Sequence, residues 1–193
     1  MQHPAITGAH GSAGRRMFLG LRPPLEQVRS WFHTARQALG DAPALRWLAP
    51  EDVHLTVRFL GGVEATQEAR LIDALVAGLD GQAAFDAETR QSMWFPDASQ
   101  PVVLAVAVVL DPMLAALATR VNAAAALAGV PPDPRPFHPH ISLARLRRLG
   151  SRGMPVAPDL PAARFRVFEL ILFESLGNNF PLRYRSCRVF RFV

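Results

Sequence analysis

The chain has 193 residues, of which 50% are hydrophobic and 19% are charged, a composition typical of an ordinary globular protein rather than of a disordered chain. Its net charge is +5, and all 21 basic residues are Arg because the sequence contains no Lys. The absence of Lys excludes an enzyme that uses a Lys amine as nucleophile, and it excludes a Walker-type nucleotide site. The single Cys, Cys187, has no second Cys with which to form an internal disulfide.

Strand and helix patterns alternate through the first part of the chain. Residues 16–21 predict an opening strand, and apolar residues at three- and four-residue steps over 25–39 predict an amphipathic helix that ends at Gly40. Residues 53–60 alternate between apolar and polar side chains, which predicts a strand with one buried face. Apolar spacing over residues 71–79 predicts a second helix.

The second part of the chain has the pattern of further strands and one more helix. Asp111 and Pro112 predict the cap and first position of a third helix, which runs to Gly129. A turn is predicted at residues 177–179, between the last two strands. The predicted strands are residues 84–95, 102–110, 140–146, 164–175 and 182–192.

We expect one domain preceded by a flexible tail. Residues 1–14 mix small residues, Gly and His without periodicity, so we assign them to the tail and residues 15–193 to a single domain with two lobes. The longest apolar run, residues 102–110, has nine residues, well short of the roughly 20 that a membrane-spanning helix requires. Because a secretory signal pattern is also lacking and the lone Cys fits a reducing compartment, we expect a cytoplasmic protein.

Two short motifs carry the chemistry of the sequence: His-x-Thr at residues 54–56 and His-x-Ser at residues 140–142. Each follows a helix that ends in Gly and a loop that contains Pro, which suggests two similar lobes that contribute one motif each. Positions i and i+2 of a strand share a face, so each imidazole is expected beside a hydroxyl.

If the lobes face each other, two imidazoles and two hydroxyls line one cleft, and this set fits a phosphodiester reaction. Attack at phosphorus needs a base for the incoming oxygen and an acid for the leaving oxygen. Histidine serves both roles near neutral pH. The hydroxyls can donate hydrogen bonds to the non-bridging oxygens. Such a reaction requires neither a metal ion nor a cofactor.

The segments at residues 53–61 (VHLTVRFLG) and 135–145 (RPFHPHISLAR) resemble the paired motifs of the two-histidine phosphoesterase superfamily. They are similar in particular to those of the RNA 2′,3′-cyclic phosphodiesterases, also called 2′-5′ RNA ligases. The resemblance implies an α+β, bilobal two-histidine phosphoesterase fold, with two antiparallel sheets around a central cleft and helices on the outside. It also implies hydrolysis of a terminal 2′,3′-cyclic phosphate to a 2′-phosphate.

The same resemblance implies a role for five residues. His54 would protonate the leaving 3′ oxygen and His140 would activate the water. Thr56 and Ser142 would hold the phosphate, although the second motif of the family usually has Thr where this chain has Ser142. Arg145 matches a family arginine expected at the phosphate or nucleotide, but strict strand alternation would place it on the face opposite His140.

Three further residues are candidate substrate contacts. Arg58 shares the predicted strand face of His54 and could meet the phosphate chain, or it could be an exposed sheet charge. Phe59 and Phe137 could stack a base, or they could be apolar core positions. The expected substrates are RNA ends or tRNA fragments that carry a 2′,3′-cyclic phosphate. We expect a monomer with no obligate protein partner.

Two other functions remain open from the sequence. The same residues could join a cyclic phosphate end to a 5′-hydroxyl, so that 2′-5′ RNA ligation would be the main activity. Alternatively, the chain could be a non-catalytic RNA-binding module that has kept the cleft. A zinc site is not expected, because the sequence has one Cys and neither an HExxH nor a Cys-x-x-Cys pattern.

Overall fold

The computed structural model describes residues 14–40, 45–146, 155–177 and 182–193. The predicted tail, except Gly14, and the predicted turn at residues 177–179, except Gly177, lie outside the described residues. The described elements are, in chain order, β1 (Arg15–Leu21), α1 (Leu25–Leu39), β2 (Leu45–Trp47), a short 3-10 turn (Pro50–Asp52), β3 (Leu55–Val63), α2 (Ala65–Gly78), β4 (Phe85–Phe95), β5 (Val103–Val108), α3 (Pro112–Leu127), β6 (His140–Leu146), β7 (Arg164–Val167), β8 (Glu169–Ser175) and β9 (Tyr184–Arg191). The predicted α+β class is confirmed.

The strands form a curled antiparallel sheet with the order β7-β4-β5-β6-β3-β1-β8-β9, and β2 adds to β6. The half that contains β4, β5, β6 and β7 and the half that contains β1, β3, β8 and β9 correspond to the two predicted sheets. The halves are joined where β3 pairs with β6, through Leu55 and Ile141. Each half therefore contributes one of the two histidine motifs to this junction.

One predicted strand is in fact two strands that lie in different halves. Residues 164–175 were expected to form a continuous strand, but β7 pairs with β4 whereas β8 pairs with β1. The chain passes from one half to the other at Phe168. Both segments have strand-forming sequences, and the pairing of each is decided by residues far away in the chain.

The helices bury apolar side chains in a core shared with both halves of the sheet. In α1 the buried residues include Trp31, whose indole Nε1 donates to the carbonyl oxygen of Pro161 at 2.9 Å. Helix α2 begins earlier than predicted, because a capping box between Glu64 and Gln67 starts a polar first turn that has no apolar pattern. Asp111 caps α3 as predicted and accepts a hydrogen bond from the backbone N–H of Leu114 at 2.8 Å.

In the parts of the chain that the structure describes, no helix combines the length and the apolar character needed to cross a membrane.

Candidate active site

The two histidine motifs meet at the junction between the halves of the sheet. Leu55 and Ile141 are antiparallel partners, and both point into the core, where they are almost completely buried. The residues that flank them point to the other face of the sheet. Continuing the register by one residue in each direction sets His54 opposite Ser142 and sets Thr56 opposite His140.

This register arranges the four polar side chains as a quadrilateral. The two imidazoles occupy one diagonal and the two hydroxyls occupy the other. Diagonal neighbours across an antiparallel pair are about 7–8 Å apart, so two imidazoles can contact a group held between them. All four side chains are only partly buried. The arrangement can therefore present an acid and a base to opposite sides of one small anion.

Each imidazole is oriented by the backbone carbonyl two residues before it. The Nδ1 atom of His54 lies 2.6 Å from the carbonyl oxygen of Asp52, and Nδ1 of His140 lies 2.7 Å from that of His138. A carbonyl oxygen can only accept, so Nδ1 carries the proton and donates in both rings. The Nε2 atom of each ring is left for proton transfer with a substrate.

Aromatic rings fix the plane of each imidazole. His54 stacks on Phe18 of β1 with ring centroids 4.6 Å apart, and the Tyr184 ring lies nearly perpendicular to it with ring centroids 4.9 Å apart. His140 stacks on Phe95 of β4 at 4.0 Å. Packing of this kind restricts ring rotation and removes water from one side of each imidazole. Neither Phe18 nor Phe95 was identified from the sequence as part of the site.

Asp52 is a buried carboxylate that connects the His54 loop to β9. It is only 3% exposed, and it accepts hydrogen bonds from the backbone N–H groups of Arg183 and Tyr184 at 3.0–3.2 Å. The same residue supplies the carbonyl that orients His54. One residue therefore positions the catalytic candidate His54 and the Tyr184 ring beside it. Sequence analysis missed Asp52, because its partners lie more than 130 positions away.

Gly20 allows β1 to approach the His54 loop closely. A Cβ atom at this position would lie 2.8 Å from the backbone oxygen of Leu55 and 3.6 Å from Cδ2 of His54. A contact of 2.8 Å with backbone cannot be relieved by moving a flexible side chain. A residue without a side chain is therefore required at position 20 for His54 to keep its place.

Burial and neighbouring positive charges lower the pKa of both imidazoles. Burial, together with the positive charges of Arg22, Arg145 and a protonated His140, lowers the pKa of His54 from 6.5 to about 4, while its hydrogen bond to the Asp52 carbonyl opposes the change. Burial also lowers the pKa of His140, against the hydrogen bond to His138. Both rings are therefore neutral at pH 7 in the free chain, and an anion bound between them would favour protonation.

Comparison with models of known protein families shows which family the chain belongs to. A family model described as the 2′-5′ RNA ligase superfamily matches residues 23–179, which include both histidine motifs. The chain belongs to the 2′-5′ RNA ligase superfamily. The resemblance noted in the sequence, to the two-histidine phosphoesterases, is thereby confirmed.

Two bacterial relatives of this chain are both named RNA 2′,3′-cyclic phosphodiesterase. The protein from Bacillus subtilis is 30% identical over 149 residues, which are 72% of this chain and 81% of the relative. The protein from Geobacillus stearothermophilus is 31% identical over 167 residues, which are 81% of this chain. Those residues span about half of the Geobacillus protein, 53% of its length.

Solved structures share the fold of this superfamily member. The crystal structure of E. coli LigT complexed with 3′-AMP is 28% identical, with a TM-score of 0.74 over 93% of this chain and 98% of that chain. The crystal structure of TT0787 from Thermus thermophilus is 23% identical, with a TM-score of 0.78 over 92% of this chain and 97% of that chain. The predicted two-histidine phosphoesterase fold is therefore confirmed.

A β-bulge returns Arg145 to the face of the sheet that holds the motifs. Ala105 pairs with Ser142 but Leu104 pairs with Ala144, so β6 has one extra residue, Leu143. The extra residue reverses the alternation and places the exposed Arg145 on the side of His140. The positive charge of Arg145 also contributes to the lowered pKa of His54. Simple alternation had placed this arginine on the opposite face.

A second bulge has the reverse effect on Arg58. Gly20 pairs with Thr56 but Leu19 pairs with Arg58, so Val57 is the extra residue and Arg58 faces the core side with Leu19. Arg58 is only 7% exposed and donates from a terminal guanidinium nitrogen to the carbonyl oxygen of Pro131. Both predictions for Arg58 are therefore wrong, because it lies neither on the face of His54 nor at an exposed position on the sheet.

The two candidate aromatic contacts lie in different surroundings. Phe59 is paired with Phe18, which places it on the His54 face, and it is 49% exposed, so the core interpretation is wrong for this residue. Phe137 is partly buried and packs against the main core. In the described part of the chain, no three His, Cys, Asp or Glu side chains cluster in a way that could hold a metal ion.

Proposed function

We propose that this chain hydrolyses the 2′,3′-cyclic phosphate at the end of RNA to a 2′-phosphate, with His54 and His140 as a paired acid and base that need no metal ion or cofactor. The observation that carries the proposal is the β3–β6 register, which sets the two imidazoles diagonally across from each other. The names of the two bacterial relatives support the same reaction class. The chain is therefore proposed to be an RNA 2′,3′-cyclic 3′-phosphodiesterase.

In the proposed mechanism the cyclic phosphate lies between the two Nε2 atoms. His140 is neutral in the free chain and takes a proton from water as the water oxygen attacks phosphorus. His54 donates a proton to the leaving 3′ oxygen on the other side. Because the pKa of His54 is about 4 in the free chain, the negative phosphate must raise that pKa before His54 can act as the acid.

Hydrogen-bond donors stabilise the charge that develops on the phosphate. Thr56 and Ser142 are proposed to donate from their hydroxyl groups to the two non-bridging oxygens. Arg145 is proposed to add a positive charge on the same side. Phe59 and Phe137 remain candidate base contacts, of which Phe59 is the more exposed. Arg58 is buried against Pro131 and is not expected to contact the substrate.

Ligation would use the same groups in the same direction, with a different nucleophile. A 5′-hydroxyl in place of water would give a 2′-5′ bond, with His140 taking its proton and His54 protonating the leaving 3′ oxygen. Water is far more concentrated than RNA ends in solution, so we propose hydrolysis as the main activity. The proposed substrates are RNA ends or tRNA fragments with a cyclic phosphate. We also propose that the chain is a monomer, that it lies in the cytoplasm and that it has no obligate protein partner.

Product analysis tests the proposal. An oligoribonucleotide with a 2′,3′-cyclic phosphate would be incubated with the chain in EDTA, and the position of the phosphate in the product would be determined. We expect a 2′-phosphate, formed with a bell-shaped pH dependence. A product with a 3′-phosphate, or activity that disappears in EDTA, would contradict the proposal.

The variant His54→Ala separates an enzyme from a non-catalytic RNA-binding module. An enzyme would lose turnover when the acid is removed, whereas a binding module has no turnover to lose. RNA affinity would be measured in parallel by fluorescence anisotropy. RNA binding by the unmodified chain with no turnover of any cyclic phosphate would favour the binding module.

A further inference from the structure

Arg22 follows β1 directly, on the face of the sheet that holds the histidines. Leu21, the last residue of β1, pairs with Leu55. Continuing that register by one residue sets Arg22 opposite His54. Pro23 comes next in the chain, and a residue before Pro is largely confined to extended backbone. The Cα and Cβ atoms of Arg22 are therefore held beside His54.

The guanidinium group of Arg22 lies on the side of His54 that faces away from His140. Its central carbon is 5.3 Å from the centre of the Phe173 ring in β8, and a terminal nitrogen donates to the hydroxyl of Ser186 in β9 at 3.4 Å. The strand order β6-β3-β1-β8-β9 puts β8 and β9 beyond β3, as seen from the strand that carries His140. The Phe173 ring also lies 5.6 Å from the His54 ring, between centroids, so it contacts both the imidazole and the guanidinium.

Arg22 carries a positive charge that no carboxylate of the described residues neutralises. The residue is exposed, and none of the ion pairs in the described parts of the chain includes it. A guanidinium has five N–H donors, and Ser186 accepts from only one of its nitrogens. Contact with the Phe173 ring restricts the guanidinium plane. The group is therefore oriented before binding and keeps donors for an anion.

An anion beside Arg22 would also help His54 to act as an acid. The positive charge of Arg22 contributes to the lowered pKa of His54. It therefore opposes the protonation that the proposed mechanism requires. A negative group bound at Arg22 would offset this charge and reduce its effect on the imidazole.

The proposed mechanism fixes the direction in which the RNA chain leaves the cleft. His54 protonates the leaving 3′ oxygen, so carbon 3′ of the terminal ribose lies on the His54 side of the phosphorus atom. Carbon 3′ is joined through carbons 4′ and 5′ to the 5′ oxygen, which carries the phosphodiester to the preceding nucleotide. That phosphodiester is therefore expected on the side of His54 where the guanidinium of Arg22 lies.

We infer that Arg22 forms a second phosphate subsite, which binds the phosphodiester between the terminal nucleotide of the RNA and the nucleotide before it. This inference rests on the proposed function and extends it to a preference for RNA chains over single nucleosides. Arg can bind phosphate oxygens through two parallel N–H donors, and such a contact carries no sequence information. The subsite is separate from Arg145, which is proposed to act on the cyclic phosphate.

The test compares hydrolysis of four cyclic-phosphate substrates that differ in where they carry backbone charge. One is a trinucleotide with ordinary linkages. Two are the same trinucleotide with a neutral methylphosphonate in place of either the last or the first phosphodiester. The fourth is a nucleoside 2′,3′-cyclic phosphate, which has no linkage to a second nucleotide.

Four forms of the chain would be compared on these substrates: the unmodified chain, Arg22→Gln, Arg22→Lys and the control Arg29→Gln. Arg29 is an exposed arginine of α1 that, like Arg22, forms no ion pair among the described residues, so it matches the tested residue in charge and exposure. Melting temperatures would show whether the exposed substitutions leave the fold intact.

We expect Arg22→Gln to lower kcat/KM for the ordinary trinucleotide on the order of tenfold, the size of one charged hydrogen-bond contact. A neutral last linkage should lower kcat/KM of the unmodified chain by a similar factor and cause little further loss in Arg22→Gln. Arg22→Lys should keep part of the activity, because it keeps the charge without the paired donors. The loss should shrink at high salt, and hydrolysis of the nucleoside should not fall in Arg22→Gln.

Three results would overturn the inference while leaving the proposed function intact. Arg22→Gln could behave like Arg29→Gln on every substrate, which would show that Arg22 contacts no phosphate. It could instead lower kcat/KM equally for the nucleoside and the trinucleotide, which would show that it acts through His54 or the fold. Sensitivity to the first linkage alone would place the contact on another phosphate. If the unmodified chain hydrolysed none of the four substrates, the proposed function would fail and the subsite with it.

Discussion

Protonation of His54 should depend strongly on whether a phosphate occupies the cleft. In the free chain the pKa of this ring is lowered from 6.5 to about 4, chiefly by burial. At about 1.4 kcal/mol per pKa unit, this corresponds to about 3 kcal/mol against the charged form. An imidazole with such a low pKa is neutral throughout the physiological pH range, so it cannot act as an acid unless its pKa is raised.

The negative charge of the substrate is large enough to raise the pKa of His54 to a useful value. A negative phosphate about 4 Å from the imidazolium gains about 4 kcal/mol at an effective dielectric constant near 20, which is about three pKa units. Binding should therefore raise the pKa of His54 to near 7, where an acid is useful at neutral pH. The positive charges of Arg22 and Arg145 lower the pKa of His54 and would also attract the phosphate.

An NMR titration of the imidazole nitrogens measures both states. The free chain and the chain saturated with a nucleoside 2′-phosphate would be titrated from about pH 3.5 to about pH 8. This range includes both the lowered pKa of His54, about 4, and the ordinary His pKa, about 6.5. We expect His54 to titrate near pH 4 in the free chain and to shift upward by about three units with the ligand. A free His54 that titrates near its ordinary value, or a ligand that leaves the pKa unchanged, would refute this reasoning.

Three substitutions test the supports of the site. Asp52→Ala leaves two partly buried backbone N–H groups without their acceptor, so the free energy of unfolding measured in urea should fall by about 1–3 kcal/mol; an unchanged midpoint would contradict this. Gly20→Ala should destabilise the chain by about 1–3 kcal/mol and lower kcat, whereas Gly78→Ala, with no atom within 4 Å of the added Cβ, should be neutral or slightly stabilising. Ser142→Ala should lower kcat about 100-fold by removing a donor to the phosphate, and Ser142→Thr should restore most of it; equal kcat values for the two would contradict the proposed donor.

Periodicity and local chemistry were sufficient for most of the elements. The alternation over β3 and the apolar spacing of α1 follow from which side chains must be buried, and both are visible within one element. The His-x-Thr and His-x-Ser sequences carried the family resemblance because each motif is local. Local patterns do not indicate which strands pair with each other. Residues 164–175 were therefore predicted to form one strand, whereas the structure has β7 and β8 there.

Bulges account for the wrong strand faces. Each adds one residue to a strand and reverses the alternation beyond it, so Arg58 turned toward the core and Arg145 turned toward the motifs. The two added residues, Val57 and Leu143, are both apolar, so nothing in the sequence distinguishes them from regular residues of a strand. The supports of the imidazoles were missed for a related reason, since Phe18 and Phe95 meet them only through distant pairing.

Hydrolysis by single and double histidine variants tests most directly whether the two imidazoles act on one phosphate. Cleavage of a cyclic-phosphate oligonucleotide in EDTA would be measured for His54→Ala, His140→Ala and the double variant, with melting temperatures to confirm folding. Two groups that act as one unit predict a loss of about 10²–10⁴ in kcat for each single variant and little further loss in the double variant. Near-normal hydrolysis by either single variant, or losses that simply multiply in the double variant, would contradict a shared site.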